Sequence, residues 1–178
     1  MACFFGSFEE SYDLETVVEA ARKLAAGPHR DLQFVLCGDG KKLPALRGRA
    51  EGLPNVVLPG RVSPEAIARL MESAEFGLAS FIRGATHTVS NKVVEYFCGG
   101  LAVVASESGG IRRVREEATD EAVAVARRGS VLEYAETLLS VARWTGGRRV
   151  VRLGLVGILE PGGVLAARVR SLVTRPVP

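Results

Sequence analysis

Ser90, Asn91, Lys92 and Glu95 form the densest concentration of chemically capable residues in the chain, inside the run SNKVVEYFCGGLAVVASESGG at residues 90–110. Serine is a favoured helix N-cap. The backbone N–H groups of Asn91 and its neighbours would then open a helix at the end whose dipole attracts anions. The ammonium of Lys92 adds a full positive charge there, which suits a phosphate. Glu95 falls about one turn further on, near the same end. An ionised carboxylate accepts two hydrogen bonds at once, and the paired hydroxyls of a ribose donate them. The unit reads as a holder of a nucleotide-like ligand or as an ordinary helix, Gly-Gly and strand joint, and spacing alone does not separate the two.

Other residues narrow the chemistry. GDGKKLP at 38–44 has Leu43 where a dinucleotide fingerprint needs its third glycine, and it is not a P-loop. It serves either as a strand-to-helix turn or as a ligand loop. His29 lies in a Pro-His-Arg-Asp turn and reads as solvated, whereas His87, in the loop before Ser90, faces either solvent or a bound sugar or phosphate. Two histidines, with no Ser/His/Asp or Cys/His grouping, supply neither a metal-ligand set nor a hydrolytic triad, so no metal is expected. Cys3, Cys37 and Cys98 are odd in number, widely spaced and set among apolar residues. They read as buried free thiols rather than a disulfide framework or zinc site.

The elements that must position these residues follow from apolar runs that alternate with helix-period segments up to about Arg143, the pattern of an α/β protein with a parallel sheet covered by helices. Strands are expected at 2–5, ended by Gly6, and at 32–37, 55–58, 76–81, 101–105 and 122–126. Helices are expected at 14–26 with Asp13 as N-cap, at about 41–50, from Ser63 with Pro64 in the first turn, after Ser90, at 111–117, and at 131–141 with Ser130 and Glu133 as a capping box. In such a sheet the loops at 6–8, 38–40 and 82–90 share the carboxyl edge, where these folds bind ligands. The site is therefore assembled from segments far apart in sequence.

A chain of 178 residues with 47% hydrophobic content suits one soluble domain with a substantial core. No apolar run reaches membrane-spanning length and the first residues lack signal-peptide features, so a cytoplasmic location is expected. Charge divides along the chain: residues 1–142 carry 16 basic and 19 acidic side chains, and residues 143–178 carry 7 and 1. The first segment reads as the folded domain. It lacks a basic stripe with interleaved aromatics, so no nucleic-acid partner is expected. The second is a basic, glycine-interrupted tail without a clear period, suited to the inner face of an anionic membrane, to a partner, or to plain solvation.

The succession LQFVLCGDGKKLPAL, LPNVVLPGRVSPEAIARLMESAEFGLA and SNKVVEYFCGGLAVVASESGGI resembles the C-terminal, nucleotide-sugar-binding domain of family-4 (group 1) glycosyltransferases with the GT-B fold. The resemblance covers about residues 2–142. Its landmarks are the GSF loop with the DLETVVEAARKL helix, GDG, NVVLPGRV, EFGLA, and the KVVEY, GG, LAVVAS unit, in that order. It implies a Rossmann-like sheet forming one half of a GT-B enzyme. It also implies hexosyltransferase-type activity, as in polysaccharide biosynthesis, with a nucleoside diphosphate sugar as substrate and no cofactor.

Residue by residue, the resemblance implies that Glu95 holds the ribose hydroxyls and that Gly6, Ser7, Ser90, Asn91 and Lys92 surround the donor diphosphate. Gly60, Arg61 and Val62 would border the nucleobase, and Gly38 with Asp39 would shape the cleft rim. His87, at the position of the first of the family's two glutamates, would meet the sugar. The arginine and lysine that often brace the diphosphate fall on Ser7 and Tyr12. No catalytic residue is assigned. The acceptor-binding domain of such enzymes is not recognisable in this chain, so the expectation is a donor half that is inactive alone and works with an acceptor domain or partner chain. The alternative is a non-catalytic nucleotide-sugar-binding or scaffold module.

Overall fold

The computed structural model describes residues 1–82, 90–117, 123–126 and 130–145. Strands and helices alternate strictly through them: β1 (Ala2–Ser7), α1 (Leu14–Ala25), β2 (Phe34–Asp39), α2 (Leu43–Ala50), β3 (Val56–Gly60), α3 (Pro64–Ser73), β4 (Phe76–Ala79), α4 (Asn91–Cys98), β5 (Ala102–Ser106), α5 (Gly109–Glu117), β6 (Val123–Ala126) and α6 (Val131–Thr145). All strands are parallel, in the order β3-β2-β1-β4-β5-β6. The chain winds outward from β1 to β3, then returns to lay β4 on the other side of β1. Doubly wound sheets take their ligands at the carboxyl edge near such a reversal.

Strand alternation sends Phe4, Leu36, Leu78 and Val104 to one face, where Leu14, Val17, Val18 and Ala21 of α1, Leu46 of α2 and Tyr134 and Leu138 of α6 cover them. Cys3, Phe5, Cys37 and Val103 go to the other face, under Val93, Tyr96 and Phe97 of α4 and Ile111 and Val114 of α5. Ile67, Leu70 and Met71 of α3 pack on this second face but are only partly buried. A sheet covered on both sides explains why its strands read as continuous apolar runs.

Helix starts follow the capping residues. The Asp13 carboxylate accepts from the Thr16 N–H at 3.1 Å and from its hydroxyl at 2.7 Å, and Ser63 accepts from the Ala66 N–H at 3.3 Å. Ser130 accepts from the Glu133 N–H at 3.4 Å. Each satisfies a donor that the first turn leaves unpaired.

Strand ends differ from the sequence reading in an instructive way. β1 does not stop at Gly6; the ladder continues through the register pairs Gly6 with Gly38 and Ser7 with Asp39. Both glycines have positive φ, 147° and 153°, and a Cβ on Gly38 would lie 1.8 Å from the Gly6 carbonyl oxygen. The two glycines therefore allow close backbone approach, where the sequence reading has Gly6 as a strand stop and Gly38 in a turn or ligand loop. β4 ends at Ala79 rather than at residue 81, because Ser80 turns its carbonyl to the Asp13 N–H (3.2 Å) and Phe81 gives its N–H to the Ser106 hydroxyl (3.0 Å). Residues 146–178 of the expected tail lie outside the described residues. Among the described residues, no helix is long and apolar enough to cross a membrane.

Candidate functional site

A cleft of about 190 Å³ lies at the carboxyl ends of β1, β2 and β3, lined by Phe5, Gly6, Ser7, Cys37, Gly38, Asp39, Arg61, Val62 and Ile67. Its floor is the Gly6 and Gly38 pair just described. Its rim is held by the loops themselves: the Phe8 N–H donates to the Asp39 carbonyl (2.8 Å), the Lys42 N–H to the Phe8 carbonyl (3.1 Å), and the Gly40 N–H to the Asp39 carboxylate (2.8 Å). The third wall comes from a bulge. Val35 pairs with Val57 but Cys37 pairs with Gly60, so β3 carries one residue more than β2 over that stretch, at Leu58 and Pro59. Pro59 has no N–H for a ladder, and Gly60, buried with φ 82°, makes the turn that delivers Arg61 and Val62 to the cleft.

α4 supplies the charge. It is fixed by Tyr96, whose ring lies where a Cβ on Gly77 would come within 2.2 Å and whose hydroxyl donates to the Leu78 carbonyl at 3.1 Å. Burial pushes the Tyr96 phenol well above its ordinary pKa, so it remains a neutral donor. At the other end Ser90 caps the helix: its hydroxyl accepts from the Lys92 N–H (3.3 Å) and its carbonyl from the Val93 N–H (3.0 Å). Two of the N–H groups expected to stand open are thus used by Ser90 itself. The Lys92 side chain runs back to β1, and its ammonium occupies the space above Gly6, where a Cβ would lie 2.3 Å from Nζ. It rests 4.8 Å from the centre of the Tyr12 ring and 5.2 Å from that of Phe4.

Of the residues singled out in the sequence, Gly6, Ser7, Gly38, Asp39, Arg61 and Val62 share this one cleft, and Lys92 adjoins it at Gly6. Gly60 stands behind Arg61. Asn91 and Glu95 are exposed on α4 and do not line the cleft. His87 lies outside the described residues. Sequence reasoning missed Phe5, Cys37 and Ile67 as lining groups. Phe5 and Cys37 precede Ser7 and Asp39 by two residues on the same strands, so strand alternation was the available signal. It also missed the aromatic bed of Lys92, for which no local pattern exists.

The thiol in the cleft lining is not poised for nucleophilic attack. Burial raises the Cys37 thiol above its ordinary pKa, which keeps it protonated at neutral pH. The nearby Lys42 ammonium is already engaged, donating to the Tyr12 carbonyl (2.7 Å) and pairing with Glu15 (3.3 Å). Lys92 has no carboxylate partner among the described residues. A partly buried cation with no counter-charge among the described residues, beside a glycine-floored cleft, favours an anion.

No curated protein sequence matches the chain. Solved structures do. The catalytic domain of cholesterol-α-glucosyltransferase from Helicobacter pylori superposes with a TM-score of 0.64 at 12% identity, over 83% of this chain and 89% of that one. The C-terminal domain of a group 1 family glycosyl transferase (LpcC) from Francisella tularensis gives 0.65 at 18% identity, over 80% and 74%. Anabaena HepE, solved with UDP and glucose, gives 0.63 at 18% identity, and this chain spans 83% of itself but 40% of that protein. These likenesses establish the Rossmann-like architecture of a GT-B half. Residues 1–143 match the sequence profile of the glycosyl transferases group 1 family, which takes in the sheet, the cleft and α4 together, and the chain accordingly belongs to that family.

Proposed function

We propose that this chain is the donor-binding, C-terminal-type half of a family-4 glycosyltransferase, which transfers a hexose from a nucleoside diphosphate to a glycan, lipid or other acceptor held by a separate domain or partner chain. The observation that carries this reading is the Lys92 ammonium over Gly6, without a carboxylate partner among the described residues, at the edge of a cleft lined by Ser7, Gly38, Asp39, Arg61 and Val62. In this reading the diphosphate rests on Gly6 and Ser7 against Lys92, with the capped end of α4 behind it. The base lies along Arg61 and Val62, and Glu95 takes the ribose hydroxyls. HepE's complex with UDP and glucose supports a sugar nucleotide as the donor class. As the acceptor oxygen bonds to the anomeric carbon, the bond from that carbon to the phosphate oxygen breaks, its electron pair goes to the leaving diphosphate, which can take up the acceptor's proton, and Lys92 stabilises the charge that develops. The sugar nucleotide is the substrate, and no cofactor enters.

Half a cleft leaves its ligand partly hydrated, so binding by the isolated chain is weak. Calorimetry and thermal shift with UDP, GDP and ADP up to millimolar concentration test the reading; a response to at least one is expected, and silence with all three removes the donor function. A second reading, a non-catalytic nucleotide-sugar module, draws on His87 standing at the position of a family glutamate. Transfer assays with an N-terminal half restored, fused or as a separate chain, separate the two. The basic tail, with 7 basic side chains against 1 acidic, is the segment that would carry any contact with the inner membrane face.

A further inference from the structure

Tyr12 is held on every side. Its carbonyl accepts from Lys42 Nζ at 2.7 Å, and its backbone bridges to Phe81. Its ring lies 5.2 Å from that of Phe81 on one side and 5.2 Å edge-on from that of Phe4 on the other. The neighbouring Ser11 carbonyl accepts from the Ile82 N–H at 3.1 Å and the Asp13 N–H donates to the Ser80 carbonyl at 3.2 Å, which pins the loop after β1 to the end of β4. Onto this fixed ring the Lys92 ammonium is laid at 4.8 Å.

We propose that Tyr12 is a positioning residue for the donor diphosphate: its ring holds the Lys92 ammonium above Gly6 without neutralising it. The inference rests on the donor-site reading above. A carboxylate would fix the lysine equally well but would compete with the phosphate, in the way that Glu15 engages Lys42. An aromatic face attracts a cation through its quadrupole and carries no net charge, so the ammonium arrives placed and still available. A free lysine in water must give up the rotamer freedom of four torsions on binding. Tyr12 has already removed it. The ring does this work and the hydroxyl does not.

The test uses the full chain. Calorimetry with UDP compares wild type, Tyr12→Leu, Tyr12→Phe, Lys92→Ala and the Tyr12→Leu/Lys92→Ala double variant, with uridine as a ligand that lacks the diphosphate. Tyr12→Leu is expected to weaken UDP about 3- to 10-fold, leave uridine unchanged, and have no further effect once Lys92 is alanine. Tyr12→Phe should stay within about twofold of wild type, since phenylalanine keeps the attracting face. The chain has four lysines, so after reductive methylation, which preserves their charge, the Lys92 methyl resonance is readily assigned by its loss in Lys92→Arg. In the wild-type protein it should be shifted upfield by the two rings; this reading needs no folded Tyr12 variant. A Lys92 resonance at the position of a solvated lysine overturns the inference. So does UDP binding in Tyr12→Leu equal to wild type, or an equal loss in the Lys92→Ala background. Wild-type protein that binds none of UDP, GDP and ADP takes the donor-site reading down as well. Normal wild-type binding without the Tyr12 effect removes only this step.

Discussion

A Cβ placed on Gly38 would lie 1.8 Å from the carbonyl oxygen of Gly6 and 2.8 Å from Phe8 Cε1, so the two central strands touch through glycine at the floor of the cleft. Neither neighbour can yield cheaply, because the oxygen is backbone and Phe8 is fully buried. Gly38→Ala also meets a φ of 153° that side-chain-bearing residues avoid. The substitution should cost about 3 kcal/mol or more in urea denaturation. A loss below about 1 kcal/mol would mean that β1 and β2 separate there without penalty.

Lys92→Ala should weaken UDP about 10-fold, as expected for a charge-assisted hydrogen bond lost at a partly exposed site. It should also flatten the dependence of UDP binding on ionic strength. Calorimetry at low and high salt reads both. An unaltered salt slope would show that the ammonium meets no phosphate.

Glu95 is exposed, so Glu95→Gln should leave the thermal midpoint nearly unchanged. If the carboxylate bridges ribose hydroxyls, UDP binding should fall by about 1 to 3 kcal/mol. The 2′-deoxy analogue should lose much less. Equal losses for the two ligands would detach Glu95 from the ribose.

Cys3 gives a pH signature. Burial, with Cys37 beside it, raises its thiol from an ordinary 9.0 to about 12. The folded state thus resists ionisation that the unfolded chain undergoes, so the stabilisation is whole below pH 9 and is lost as pH rises toward 12. Denaturant midpoints should fall across that window, and Cys3→Ala should fall less steeply while starting lower because of the volume it gives up. Parallel pH profiles for the two proteins would count against the assignment.

The fold was legible because the inner strands β1, β2, β4 and β5, covered on both faces, are apolar runs, and because Asp13, Ser63 and Ser130 announce their helices by a mechanism that acts within a few residues. What could not be read depends on partners distant in sequence. Gly6 looks like a strand stop until Gly38 is seen opposite it. Leu58 and Pro59 look like a strand end and turn until the register with β2 reveals a bulge. The cleft residues at 6, 7, 38 and 39 were legible as strand-end loops of one sheet edge, and 61 and 62 only through the family resemblance. The bed of Lys92 was not, since it joins β1 to α4 across the switch point and neither segment alone suggests the other.

The central place of β1 also has a consequence for biosynthesis. Ala2 pairs with Phe34 on one side and with Phe76 on the other. During translation β1 can be joined by β2 and β3 once residue 60 has left the ribosome, yet its second edge waits for β4. Through that interval the apolar segment Ala-Cys-Phe-Phe keeps one edge unpaired, open to any other strand it meets. Nascent chains arrested with their emerged part ending between residues 61 and 75 should therefore be the most chaperone-dependent and the quickest to aggregate, and release from that hazard should coincide with the emergence of Phe76–Ala79.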